Sequence, residues 1–197
     1  QLSKKEMEGI PKDKLEDILS ECQKMEKIVA DFDELVRSKR FLFKREDLNE
    51  IALSTVRLLE HEVKDKTIGL AVNLYDKPLM FNANRQLIKI AIRHVISNGI
   101  DATAPGGQIT ILSGIKEENI YLTITDTGKG MTSEEMHRIF EPFYSTKGRT
   151  GMGLPLVRQI ISEHMGEIVI DSNPNIGTTV RFAFPTRWME KETAANE

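Results

Sequence analysis

Four short stretches of the chain carry residues whose types and spacing could do chemistry. Asp126-Thr127-Gly128-Lys129-Gly130 sets a carboxylate at the mouth of a Gly-x-Gly turn. Asn98-Gly99-Ile100-Asp101-Ala102 lies upstream, near the end of a helical pattern. Downstream come Ile139-Phe140-Glu141-Pro142-Phe143-Tyr144-Ser145-Thr146-Lys147 and then Gly151-Met152-Gly153-Leu154. A carboxylate only accepts hydrogen bonds, so Asp126 at a pocket wall would suit an exocyclic amine such as that of adenine. Glycines at 128 and 130 would let a flat ring approach the main chain. An ordinary Asp-Gly turn closing a hairpin would look the same locally, so the order of the four stretches carries the weight.

Two common phosphate cradles are absent. A P-loop needs Gly-x-x-x-x-Gly-Lys-Ser/Thr, but Gly128-Lys129 is followed by Gly130, with no glycine five residues before Gly128. Gly151-x-Gly153 lacks the third glycine of the Rossmann fingerprint. The signatures of Ser/Thr-type protein kinases are missing as well. What remains is Gly151-x-Gly153 leading into a helix, whose amides and dipole favour an anion. Thr150, Gly151, Met152, Gly153 and Leu154 would then wrap phosphate, and Lys147 and Arg149 could add charge-assisted bonds or be solvated surface charge. Asn98 stands one helical turn after His94 on the same face. Its amide oxygen suits Mg²⁺, which takes few protein ligands and several phosphate oxygens.

The ordered set resembles the ATP-binding domain of bacterial sensor histidine kinases, members of the ATPase superfamily that includes gyrase, the Hsp90 chaperones and MutL. The resemblance spans roughly 47–185 and implies Mg-ATP as ligand, with ATP and Mg²⁺ as cofactors. It implies that Asp126 reads the adenine amino group, that Asn98 ligates magnesium, and that Phe140-x-Pro142-Phe143 anchors a lid containing Thr146, Lys147 and Arg149. Asp101, Ala102, Met131 and Thr178 are brought to the nucleotide by the same resemblance, Gly177-Thr178 being its last glycine box. Asn98, Lys147 and His94 become the residues nearest the chemistry. His94 departs from the pattern: many relatives have asparagine there and the ATP-hydrolysing cousins a glutamate base, so it could assist water or metal, or simply pack. Gly99 replaces a common alanine at a helix cost of about 1 kcal/mol, through close approach of the nucleotide or drift.

The elements that position these residues follow from periodicity. The expected fold is an α/β two-layer sandwich, a mixed sheet covered on one face by about three helices. Helices are predicted at Leu48–Val63, Leu87–Ala102 and Ser133–Phe140, with another from Pro155 to Met165. Strands are predicted over Ile68–Leu74, Ile109–Ile111, Ile120–Ile124, Glu167–Ser172 and Thr178–Pro185. Phe140 and Phe143 read as core aromatics, and His137 and His164 as surface residues. Before this domain, Leu15, Ile18, Leu19, Cys22, Met25, Val29, Phe32 and Leu35 recur at helical spacing. The stripe predicts a long amphipathic helix from Lys12 to about Arg40, a packed helix or a dimerising bundle. The resemblance makes it the second helix of a dimerisation hairpin. Domain boundaries are therefore expected at 1–45, 46–187 and a polar tail at 188–197.

Composition bounds the partners. At 197 residues with net charge −3 and no run of basic residues interleaved with aromatics, broad nucleic-acid binding is disfavoured. Cys22 is the only cysteine, which excludes an intrachain disulfide. No apolar run approaches the ~20 residues of a membrane span, and a cytoplasmic setting is the default expectation. The abrupt polar start at Gln1 reads as a piece of something longer. The resemblance implies a response-regulator receiver domain and a homodimeric parent as partners. It also implies a phosphoacceptor histidine in a His-Glu-x-x-Asn-Pro-like context. His61-Glu62-Val63-Lys64-Asp65-Lys66 lacks the Asn-Pro and follows the dimerising helix, so the acceptor is expected outside this sequence. The rival readings are a stand-alone ATPase, a serine-phosphorylating relative, or a dimerisation module without nucleotide.

Overall fold

A computed structural model describes residue 14 and residues 43–145 and 150–186. Residue 14 apart, the stretches before Phe43 and after Thr186, to which the expected amphipathic helix and polar tail belong, lie outside the described residues, as do 146–149.

The described chain runs β1 (Lys44–Asp47), α1 (Leu48–Asp65), β2 (Gly69–Asn73), β3 (Met80–Ala83), α2 (Arg85–Ala102), β4 (Gln108–Lys116) and β5 (Asn119–Asp126). It continues with α3 (Ser133–Arg138), α4 (Gly153–Glu163), β6 (Glu167–Asn173) and β7 (Gly177–Pro185). Five strands form one mixed sheet in the order β2-β4-β5-β7-β6, in which β2 and β4 are parallel and the other pairs antiparallel. Sheet and helices make the expected two-layer α/β sandwich. The inward residues of the strands, among them Ile109, Ile111, Leu122, Ile124, Phe182 and Phe184, are fully or almost fully buried. They share one core with Ile51, Val56 and Leu59 of α1, Ile88, Ile92 and Ile96 of α2, and Val157, Ile160 and Ile161 of α4.

Local chemistry sets where the elements begin. Asp47 caps α1 by accepting from Asn49 N at 3.0 Å, and the same oxygen accepts from Leu79 N at 2.9 Å. That shared acceptor ties α1 to the two-stranded ribbon β1–β3, an element with no sequence signal because each strand has 4 residues. Asn84 caps α2 through its side-chain oxygen, which accepts from Gln86 N and Leu87 N. Thr132 and Glu135 form a complete capping box at α3. The β4–β5 hairpin turns at Glu117-Glu118, with Lys116 opposite Asn119.

Two expectations need correction. Phe143 is not core: it is 75% exposed and takes a positive φ of 66° in the turn after Glu141-Pro142. Phe140 is half-buried, with the Arg158 guanidinium 5.0 Å from its ring centre. His164 is not on the surface either. It is 4% exposed, because it continues the buried stripe Val157, Ile160, Ile161 at helical spacing on α4. His137 is exposed as expected.

Candidate nucleotide site

Asp126 ends β5, opposite Ile109 on one side and Thr178 on the other. Its side chain is 8% exposed, and Oδ1 accepts from Gly128 N at 2.8 Å. This is the Asx-type self-capping that an Asp-x-Gly sequence can adopt. The turn is clamped from three sides. Lys129 N donates to Ala102 O at 3.1 Å, Thr127 N donates to Gln108 O at 3.0 Å, and Asn175 N donates to Lys129 O at 2.7 Å.

Glycine is required at several of these contacts. A Cβ on Gly128 would lie 2.6 Å from Ala102 O and 2.7 Å from Asp126 Oδ1. Gly130 has φ of +63°, and its Cβ would overlap Asn173 O at 1.9 Å. The spacing of these glycines therefore serves packing as well as any ring that approaches. At Gly99 an added methyl would come within 3.3 Å of Asp126 Cβ. Glycine there lets α2 lie directly behind the carboxylate, which gives the residue a structural reason.

The same helix continues the site toward the start of α4. Asn98 and His94 are both half-buried one turn apart, and a Cβ on Gly153 would lie 3.4 Å from His94 Nδ1. The start of α4 thus sits against the α2 face that carries Asn98. Ala102 meets the Gly128 turn through its carbonyl. Asp101 is engaged elsewhere, accepting from Lys66 Nζ at 3.0 Å. Lys66 also reaches Ile100 O at 3.4 Å, placing a cation at the C-terminal end of α2 where the helix dipole favours it. Nothing near Lys66 in sequence signals this, since its partner lies 35 residues away.

Gly151 has φ of +65°, and a Cβ there would lie 2.4 Å from Phe143 C and 2.6 Å from Tyr144 N. The two flanks of 146–149 are therefore in contact, Phe143–Tyr144 on one side and Gly151 on the other. Thr146, Lys147 and Arg149 fall outside the described residues. Thr150, Met152 and Leu154 are half-buried. Met152 is the N-cap of α4 without a side-chain cap, so the first amides of α4 are left to other acceptors. Met131 is half-buried just before α3, and Thr178 Oγ1 lies 2.9 Å from Ser172 Oγ on the neighbouring strand.

The residues fit magnesium of the kind held mainly by phosphate. Among the described residues no group of three or more His, Cys, Asp or Glu side chains could hold a metal by itself. Asn98 offers one hard oxygen donor, the sparse protein share that Mg²⁺ accepts.

Comparison with known proteins agrees with this geometry. Residues 83–187, just over half of the chain, match the model of the "Histidine kinase-, DNA gyrase B-, and HSP90-like ATPase" family. Sporulation kinase E of Bacillus subtilis is 29% identical over 183 residues, covering 91% of this chain and 25% of the relative. Sporulation kinase C of the same organism is 30% identical over 178 residues, 89% of this chain and 42% of the relative. The chain thus spans less than half the length of these two relatives. Among solved structures, the nucleotide-free catalytic domain of histidine kinase ThkA is 29% identical. It superposes with a TM-score of 0.68 over 74% of this chain and 97% of that one. ThkA in complex with the response regulator protein TrrA gives a TM-score of 0.70 at 25% identity, over 89% of this chain and 51% of that one. Sandwich, buried Asp126 turn and family match agree: the chain belongs to the histidine kinase-, DNA gyrase B- and HSP90-like ATPases.

Proposed function

We propose that this chain is the Mg-ATP-binding catalytic part of a two-component sensor histidine kinase. It would transfer the γ-phosphoryl group to a histidine outside the present sequence. The observation that carries the reading is the buried Asp126 carboxylate, held by its own Gly128 amide and flanked by α2. Asp126 accepts from the adenine amine, and Gly128 and Gly130 let its turn pack against the main chain of Ala102 and Asn173. Asn98 would hold the magnesium, which would supply positive charge to offset that of the phosphates. Thr150 through Leu154 and the first amides of α4 receive the triphosphate, with Lys147, Arg149 and Thr146 completing the cradle. Asp101, Ala102, Met131 and Thr178 line the pocket, Asp101 through its neighbours and not as a free carboxylate. His94 packs against Gly153 and orients that turn.

Catalysis in such a site is mainly positioning plus charge stabilisation, so the acceptor must be delivered in line with the γ-phosphate. None of the chain's 4 histidines suits that role. His61 is 87% exposed on the outer side of α1 and paired with Asp65 at 2.8 Å. His164 is buried, His94 is fixed in the wall, and the exposed His137 has its Nδ1 against Ser133 O within its own short helix. The parent is proposed to dimerise through the segment before Phe43 and to pass the phosphoryl group to a receiver domain, as the ThkA complex with its response regulator suggests. Since no described helix is long and apolar enough to cross a membrane, the reading needs no span in this part. Incubated with labelled ATP and Mg²⁺, the chain alone should gain no acid-labile phosphate. It should phosphorylate a separately supplied helical segment bearing the acceptor histidine. Stoichiometric labelling of His61 in the chain alone would contradict this.

A further inference from the structure

His164 lies outside the site but joins the two helices that build it. It closes α4, and its Nδ1 lies 2.7 Å from Ile160 O while its Nε2 accepts from Asn84 N at 3.0 Å. A carbonyl can only accept and an amide can only donate, so the ring is neutral with its proton on Nδ1. Asn84 is the N-cap of α2. We infer that neutral His164 is a positioning residue for the nucleotide site, pinning the end of α4 to the start of α2. Gly153 is thereby held against His94 at the other end of the pair. The inference rests on the nucleotide reading given above.

The geometry supports a register lock. Ten residues of α2 separate Asn84 from His94, and eleven of α4 separate Gly153 from His164. At the helical rise the spans are about 15 and 16 Å, so the helices run antiparallel, with these two contacts at the two ends of α4. Between those ends the packing is apolar and non-directional, and such packing resists sliding weakly. A hydrogen bond from one helix end to the other is directional. Protonation would replace the acceptor at Nε2 by a second donor facing the Asn84 amide and undo the lock.

The surroundings oppose that proton. Phe43 and Phe184 meet the ring at centroid distances of 4.7 and 6.4 Å. Burial pushes the imidazole below its ordinary value, outweighing the Ile160 carbonyl and the charge of Glu163. Arg85, next to Asn84, is already paired with Glu46 on β1 and Glu50 on α1. Lys44 of β1 adjoins Phe43 in the chain.

Linkage gives the test. If neutral His164 favours the binding-competent register, bound nucleotide must disfavour its protonation. The negative charge of the nucleotide would act in the opposite sense, so the titration is run in high salt, which weakens that contribution. An NMR titration of the His164 ring, assigned by its loss in His164→Gln, is run with and without Mg²⁺ and a non-hydrolysable ATP analogue. The expected result is a titration midpoint moved to lower pH by the analogue; an unchanged or raised midpoint would overturn the inference. His164→Gln can keep an acceptor for Asn84 and should bind within about twofold of the wild type near pH 8. Its affinity should also fall less than that of the wild type on acidification. His164→Leu should bind roughly three- to tenfold more weakly, the worth of one hydrogen bond. If His164→Leu does not fold, the wild-type titration decides alone. Absence of analogue binding by the wild type near pH 8 would overturn the nucleotide reading and, with it, this inference.

Discussion

At Asp126 one carboxylate oxygen accepts from Gly128 N at 2.8 Å, so the side chain proposed to meet adenine also builds the turn that carries it. Gly128 is the more stringent of the two positions. Its Cβ would strike Ala102 O at 2.6 Å, which is main chain and cannot rotate away. Gly128→Ala should therefore cost about 1–3 kcal/mol of stability and abolish nucleotide binding, measured by denaturant unfolding and by titration with an ATP analogue. Wild-type stability in that variant would mean that α2 and the turn separate freely. The acidic and glycine positions of this turn were legible in the sequence because an Asp-x-Gly pattern carries its own local chemistry. The partners that fix it were not. Ala102, Asn175 and Gln108 reach it through backbone atoms, and backbone contacts leave no mark on residue type.

Elements show the same division between local and distant causes. Helices α1, α2 and α4 and the five strands of the large sheet announce themselves through periodicity. The β1–β3 ribbon does not, being too short for a pattern and held by Asp47 from 32 residues away. Phe143 stands outside the core in a turn with positive φ, which nothing in its residue type announces. His164 is buried because its spacing with Val157, Ile160 and Ile161 puts it on the apolar face of α4, and that place in the stripe outweighs its polar side chain. The two glycines at the start of α4 separate conformation from access. Gly151→Ala meets the main chain of Phe143 and Tyr144 at a positive φ and should destabilise by about 1–3 kcal/mol. Gly153→Ala meets only His94 at 3.4 Å and should leave stability within about 0.5 kcal/mol. If α4 receives phosphate, Gly153→Ala should still weaken the ATP analogue. Thermal unfolding and analogue titration on the two variants would separate these effects, and equal loss of stability in both would contradict the assignment.

For the whole molecule, acid is the informative stress. His164 is neutral in the fold and its protonation is disfavoured there, so the unfolded chain binds a proton first as pH falls. Stability is then fully present above the ordinary histidine value near 6.5 and declines as pH drops from there toward the lower folded value. Denaturant midpoints taken from about pH 8 to pH 5 should fall for the wild type and flatten in His164→Gln; parallel curves would exclude His164 as the cause. The sandwich and the order of the site were readable from one sequence because core periodicity and turn chemistry are local. The coupling of α2 to α4 was not readable, since it runs through residues 80 apart. The central claim is that Asp126 reads adenine. Calorimetric titration of a non-hydrolysable ATP analogue with Mg²⁺ into the wild type and Asp126→Asn tests it most directly. The account predicts saturable binding that weakens by about 1–3 kcal/mol in the variant, because a buried donor loses a charged acceptor. Equal affinity in the two proteins would contradict it.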